Sequence, residues 1–211
     1  MRKKQLTHWL CLSGVIGLLF YLLHDTIGAM HYPDYNWMSQ AVSDLTAVNA
    51  PSFAIASGLS SLYHLFSCLC CVLVCIVVQG KANRILRLGV YLFTAMSFVS
   101  AIGYSLFPLS ESGFAGSFQD IMHLYVVTTL VVVLSIASLV LITVGGLRKQ
   151  TNKSLAIISL LALLVMFIGT IGAGAMPLDY FGIAERFSVY SAVIFTAILG
   201  IYGFMGFEGS K

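Results

Sequence analysis

The chain has 211 residues, of which 59% are apolar and only 9% charged. Soluble domains carry about 25% charged residues, so this composition excludes a water-soluble globular domain and implies one integral membrane domain over residues 1–211. The net charge of +3 is not arranged as a basic stripe with interleaved aromatics, which excludes nucleic acid as the expected partner.

The N-terminus carries Arg2, Lys3 and Lys4 ahead of an apolar run. No small-residue cleavage site follows, so the first span, 7–30, reads as an uncleaved helix. A loop at 31–52 comes next, with Tyr32, Pro33, Tyr35 and Trp37 and then a polar stretch at 39–45. Aromatics of this kind rest at headgroup level, and a loop of this length in a compact fold is commonly functional. Five further apolar stretches follow at 53–78, 86–106, 118–144, 155–176 and 185–207, each near the length a bilayer requires. Short connections at 79–84 and 145–153 join them. The expected fold class is all-α: a polytopic bundle of six transmembrane helices with both termini cytoplasmic.

Charge sets the expected orientation. Ten of the eleven basic residues fall on one side of this plan: Arg2, Lys3, Lys4, Lys81, Arg84, Arg87, Arg148, Lys149, Lys153 and Lys211. Seven of the eight acidic residues fall on the other: Asp25, Asp34, Asp44, Glu111, Asp120, Asp179 and Glu185. Lys and Arg stay cytoplasmic, so the chain is expected in the cell membrane with its N-terminus inside and most of its reactive groups on the outer face. The five cysteines, Cys11, Cys68, Cys70, Cys71 and Cys75, lie in apolar segments. No disulfide framework is implied, and they read as small helix-packing residues. One internal repeat is visible. Ile102, Gly103, Phe107, Pro108, Leu109, Gly113 and Phe114 are matched 69 residues later by Ile171, Gly172, Met176, Pro177, Leu178, Gly182 and Ile183. Both copies end an outward-going helix, where proline stops the helix and glycine allows a tight turn.

Ionisable groups inside spans cost roughly 2.5–3.5 kcal/mol each on insertion scales and face the bundle interior. His24 and Asp25 stand near the outer end of the first span, and His64 lies about three turns into the second. Asp120 and His123 share a face of the fourth. Glu185 and Arg186 open the sixth. Around His64 runs a stripe of Ser57, Ser60, Ser61, Cys68, Cys71 and Cys75, whose small residues suit a close helix seam. An outward-opening cavity is expected, lined by these groups and covered by Ser43 and Asp44. Three readings use the same residues. His24, His64 and His123 could hold zinc, with Ser43, Asp44, Asp120 and Glu185 as catalytic groups, Asp44 or Asp120 serving as base toward a metal-bound water. The histidines could instead bind a proton or ligand, as in a transporter or sensor. Or the polar groups could form a structural network in an accessory subunit. Arg186 is expected to hold an anionic headgroup, with Tyr35 and Trp37 at the entrance.

Residues 38–47 (MSQAVSDLTA), followed by Pro51, resemble the opening signature of the membrane family known as domain of unknown function 998. Phe107 and Pro108 ending the third span, His123 on the fourth, and Gly182, Glu185 and Arg186 opening the sixth extend the resemblance over most of the chain. The family commonly has an acidic residue just after Phe-Pro, where this chain has Leu109 and Ser110. The resemblance implies the six-span architecture and Ser43, Asp44, His123 and Arg186 as site residues. A looser similarity is to the alkaline-ceramidase and adiponectin-receptor-like membrane hydrolases, whose Ser-x-x-x-His is matched by Ser60 and His64; the last span here lacks their histidine pair. The expected function is an enzyme for a lipid or lipid-linked substrate, with a metal-dependent hydrolase as the candidate reaction class and zinc as the candidate metal, and with membrane lipids and an outer-face ligand as partners.

Overall fold

The structure is a computed structural model that describes residues 4–113, 115–148 and 152–207. Arg2, Lys3, Lys149, Lys211 and Phe114, used in the sequence argument, lie outside the described residues. Six helices are long and apolar enough to cross a membrane: α1 (Leu6–Met30), α2 (Phe53–Val77), α3 (Arg84–Leu106), α4 (Phe118–Arg148), α5 (Lys153–Ala175) and α6 (Leu178–Met205). No strand occurs among the described residues. The protein is a multi-pass α-helical membrane protein.

Each helix touches the next around a ring, α6 closes on α1, and α2 also reaches α6. Small residues make these approaches possible, because without a Cβ two backbones can meet closely. A Cβ on Gly14 would meet Cys70, and one on Gly17 would meet Ser67, so α1 and α2 are in direct contact. Gly89 and Gly145 do the same between α3 and α4, and Gly169 between α5 and α6. Asn83 caps α3 by accepting the Leu86 N–H at 3.0 Å, and its amide also donates to the Gly145 carbonyl of α4. That side chain therefore fixes a helix start and a helix pair together.

The end of the bundle away from the 31–52 loop is filled. Cys70, Cys71, Val74, Phe93, Leu139, Ile142, Phe195 and Leu199 form a continuous core there. The cysteines are free and pack as small residues: Cys71 Sγ lies 3.3 Å from Ser97 Oγ and Cys75 Sγ 3.0 Å from Thr94 Oγ1, joining α2 to α3. The loop end is built differently. Residues 31–52 fold back over the helices, with a 3-10 turn at Val42–Thr46 whose Val42 and Leu45 are buried.

Candidate functional site

The loop is stitched to the bundle on two sides. On one side it meets the connection between α3 and α4. Asp44 Oδ1 accepts the Gly113 N–H at 2.8 Å, the Gln40 amide donates to Ser112 Oγ at 3.3 Å, and the Val48 N–H donates to the Leu109 carbonyl at 2.8 Å. On the other it meets α6. Glu185 Oε2 accepts the Val42 N–H at 2.8 Å, and the Ile183 N–H donates to the Met38 carbonyl at 3.2 Å. The two copies of the sequence repeat thus perform parallel tasks: each proline-ended exit presents a backbone N–H near its glycine to the same loop. Gly182 is compulsory at its position, since a Cβ there would run into the Gln40 and Trp37 carbonyls.

Asp44 is 5% exposed and its second oxygen caps its own turn by accepting the Ala41 N–H at 3.0 Å. Burial raises its carboxyl above the ordinary aspartate range, against the pull of those two backbone N–H groups and the nearby charges of Arg186 and His123. The expected docking of Ser43 and Asp44 against the helix ends is what the structure shows.

Arg186 is the hinge between loop and helices. Its Nε and Nη2 grip Asp25 of α1 at 3.1 and 2.8 Å, Nη1 donates to the Trp37 and Gln40 carbonyls at 2.8 and 3.0 Å, and Nη2 also reaches Tyr35 Oη. Tyr190 Oη donates to Asp25 at 2.7 Å, and Tyr35 Oη to the Ala41 carbonyl at 2.7 Å. These contacts engage the whole guanidinium fork, so Arg186 braces the loop. Tyr35 belongs to the same brace, and its burial pushes its hydroxyl well above the usual tyrosine range. Trp37 faces a separate apolar groove on the membrane side of α5 and α6, with Ile194 and Phe187. Of the residues expected at the entrance, Arg186 and Tyr35 are thus bonded to the loop, and Trp37 and Arg186 line the groove.

Beneath the loop lies a cavity of about 880 Å³. His24, His64, His123, Ser43, Asp44 and Glu185 all line it, as do Ser60 and Tyr63. Its remaining wall is mostly apolar, including Val131 and Val132 of α4 and Met166 and Ala173 of α5. The convergence of the three histidines on one cavity, expected from the cost of polar groups in spans, is present. Their mutual arrangement is not that of a zinc centre: among the described residues no three His, Cys, Asp or Glu side chains come together to hold a metal ion. The reason is local. His24 packs edge-on against Tyr21, His64 tilts against Tyr63 and His123 against Tyr104, with ring centroids 5.4, 4.8 and 4.7 Å apart, so each imidazole is set by its own neighbours.

His123 is the most precisely held. Pro108 ends α3 and leaves the Phe107 carbonyl without a helical partner, and His123 Nδ1 meets that oxygen at 2.7 Å. A carbonyl only accepts, so Nδ1 carries the proton and Nε2 of the neutral ring is an acceptor. His123 also sits in a π-helical stretch, Met122–Val127, where the Thr128 hydroxyl takes up the His123 carbonyl at 2.9 Å. Such bulges are frequent at functional sites. His24 is 3% exposed, and neither ring nitrogen has a protein partner.

Asp120 does not join this group. It is fully buried and forms a capping box with Ser117 at the start of α4. Both its oxygens also take the Ser110 hydroxyl, and one takes the Ser110 N–H at 2.8 Å. The carboxylate is saturated there by the turn that follows Phe-Pro, so it lies outside the cavity lining and makes no hydrogen bond to His123. Tyr21, Tyr63, Tyr104 and Thr128 are site residues that sequence reasoning missed; Tyr21 stands one turn from His24 and Tyr63 beside His64, the signal that was there to read.

Residues 15–202 match the family described as Protein of unknown function (DUF998). The chain belongs to that family. The match spans the cavity, the roof loop and Arg186, and it agrees with the resemblance carried by 38–47, His123 and Arg186. No curated protein and no solved structure matches the chain.

Proposed function

We propose that this family member is a membrane-embedded enzyme acting on a lipid or lipid-linked molecule at the outer face of the cell membrane, with its N-terminus inside. The observation that supports it is the cavity, which pairs a polar wall of His24, His64, His123, Ser43 and Glu185 with an apolar wall from α4 and α5. A volume of about 880 Å³ falls in the range of small-molecule sites. An amphipathic ligand suits such a division, its polar head among the histidines and its chain against the apolar wall.

The chemistry follows from His123. With its proton fixed at Nδ1, Nε2 is oriented to take a proton from a water or a substrate hydroxyl. The carboxylates of buried Asp44 and half-buried Glu185 border the same space and would stabilise the imidazolium that results. Ser43 adds a hydroxyl with no protein partner among the described residues. A transport path requires polar access to both ends, and the end away from the loop is occupied by packed core. The test is lipid mass spectrometry on membranes in which either wild type or His123→Asn is overproduced. One lipid class should be depleted and a product should appear with wild type alone. Identical lipid profiles in the two membranes would overturn the enzymatic reading.

A further inference from the structure

We infer that the ligand enters the cavity sideways from the bilayer, through a cleft between the loop-end halves of α4 and α5, and that its hydrocarbon chain lies in that cleft. This rests on the reading above of a lipid-class ligand and adds the route and the place of the chain.

Four observations carry it. The first is the roof. Residues 38–48 cross the loop end of the bundle and are bonded on both sides, to Leu109, Ser112 and Gly113 on one and to Ile183, Glu185 and Arg186 on the other. A ligand arriving from the aqueous side would have to break several of these bonds together. The second is the wall. α4 and α5 are joined at the end away from the loop, where Thr143 Oγ1 lies 2.7 Å from Ser159 Oγ and a Cβ on Gly146 would meet Ala156. Among the described residues no hydrogen bond joins their loop-end halves, and the cavity is lined there from both helices, by Thr128, Val131 and Val132 and by Met166, Thr170 and Ala173.

The third is the lining at this wall. Apart from Thr128, Thr170 and, deeper on α4, Ser135 it is apolar, and Thr128 directs its hydroxyl to the His123 carbonyl and Tyr104, not into the space. Thr170 lines the cavity and its hydroxyl lies 3.2 Å from Ser188 Oγ of α6. An opening with this lining admits a hydrocarbon chain and is costly for a polar solute. The fourth is His24. It lines the cavity 97% buried with both ring nitrogens unpartnered, so a polar group is required there, and the ligand's head would supply it.

The test uses the full chain in phospholipid vesicles that contain a phospholipid with a diazirine in its acyl chain. After irradiation, adducts are mapped by peptide mass spectrometry. Adducts are expected on cavity residues such as Val131 and Met166, in addition to outward-facing ones such as Val133 and Ile168. Ala173→Trp, which fills the cleft, should remove the cavity adducts and keep those on Val133 and Ile168, which also report that the variant has inserted. A second variant, Gln40→Cys with Ser112→Cys joined by a short thiol cross-linker, holds the roof shut and should leave the cavity adducts in place. Loss of cavity adducts on locking the roof would overturn the lateral route while leaving a lipid ligand standing, and so would adducts that persist in Ala173→Trp. Adducts confined to Val133 and Ile168 in wild type would overturn the route and the lipid reading together.

Discussion

Arg186 of α6 and Asp25 of α1 form a two-point ion pair, with nitrogen–oxygen distances of 3.1 and 2.8 Å and each side chain 12% exposed. The pair lies across the α1–α6 seam directly under the loop. It is also the place where the chain's one basic residue on the acidic side is used. Removing one member leaves a buried charge without its partner, at a cost of about 3–5 kcal/mol. Arg186→Ala should therefore lower thermal stability in detergent sharply and make the 38–47 segment susceptible to protease. Arg186→Lys should recover only part of this, because an ammonium cannot grip Asp25 at two points while also reaching the Trp37 and Gln40 carbonyls. Equal stability of the three proteins would show that the brace contributes little.

Gly182 offers a separate route to the same loop. Gly182→Ala places a methyl against the Gln40 and Trp37 carbonyls, and overpacking of this kind costs about 1–3 kcal/mol. The helix itself should be unharmed, since alanine is a better helix former than glycine. The expected outcome is unchanged helix content by circular dichroism with a lowered melting temperature and faster hydrogen exchange at Val42. Unchanged exchange at Val42 would mean that the loop is held without the close approach.

The bundle was legible because its signals are additive along the chain. Six apolar stretches and the sorting of charge each draw on many residues, and the observed spans agree with them to within a few residues except α6, which starts near Leu178 because a 3-10 turn extends the helix ahead of Glu185. The cavity was legible for a related reason: polar groups in spans must face one another. The roles within it were not. Asp120 and His123 share a helix face, yet one is drawn to Ser110 and Ser117 and the other to Phe107. Competition among backbone groups at a helix end decides that, and spacing alone carries no record of it. The π-helical stretch at Met122–Val127 likewise depends on how Thr128 and Tyr104 meet across α3 and α4. The partners of Arg186 are Asp25 and a loop whose path no periodicity encodes.

Charge supports the proposed sidedness of the bundle, which is open to direct measurement. Lys4, Lys81, Arg84, Arg87, Arg148 and Lys153 all lie at the end away from the roof loop, and basic residues remain cytoplasmic. A membrane-impermeant thiol reagent applied to intact cells should label Glu111→Cys and spare Lys81→Cys, with both labelled after the membrane is opened. Both positions are exposed, so protection reports sidedness and not burial. The native cysteines are set apart by measuring the parent protein alongside. The reverse pattern would place the cavity on the cytoplasmic side.

The decisive variants are at His123, because its two nitrogens do different work. Nδ1 is committed to the Phe107 carbonyl at 2.7 Å, while the ring lines the cavity. Asparagine can place an amide N–H close to the position of Nδ1 but offers nothing at Nε2. His123→Asn should therefore keep most of the stability of wild type and lose activity, while His123→Ala should lose activity and also the bond, worth about 0.5–1.5 kcal/mol. Melting temperature separates the two variants, and the lipid assay should not. If His123→Asn remains active, proton transfer at Nε2 is not part of the chemistry, and His24 or His64 becomes the base to test. If His123→Asn is as unstable as His123→Ala, the hydrogen bond to Phe107 does not set the ring, and the assignment of the proton to Nδ1 fails with it.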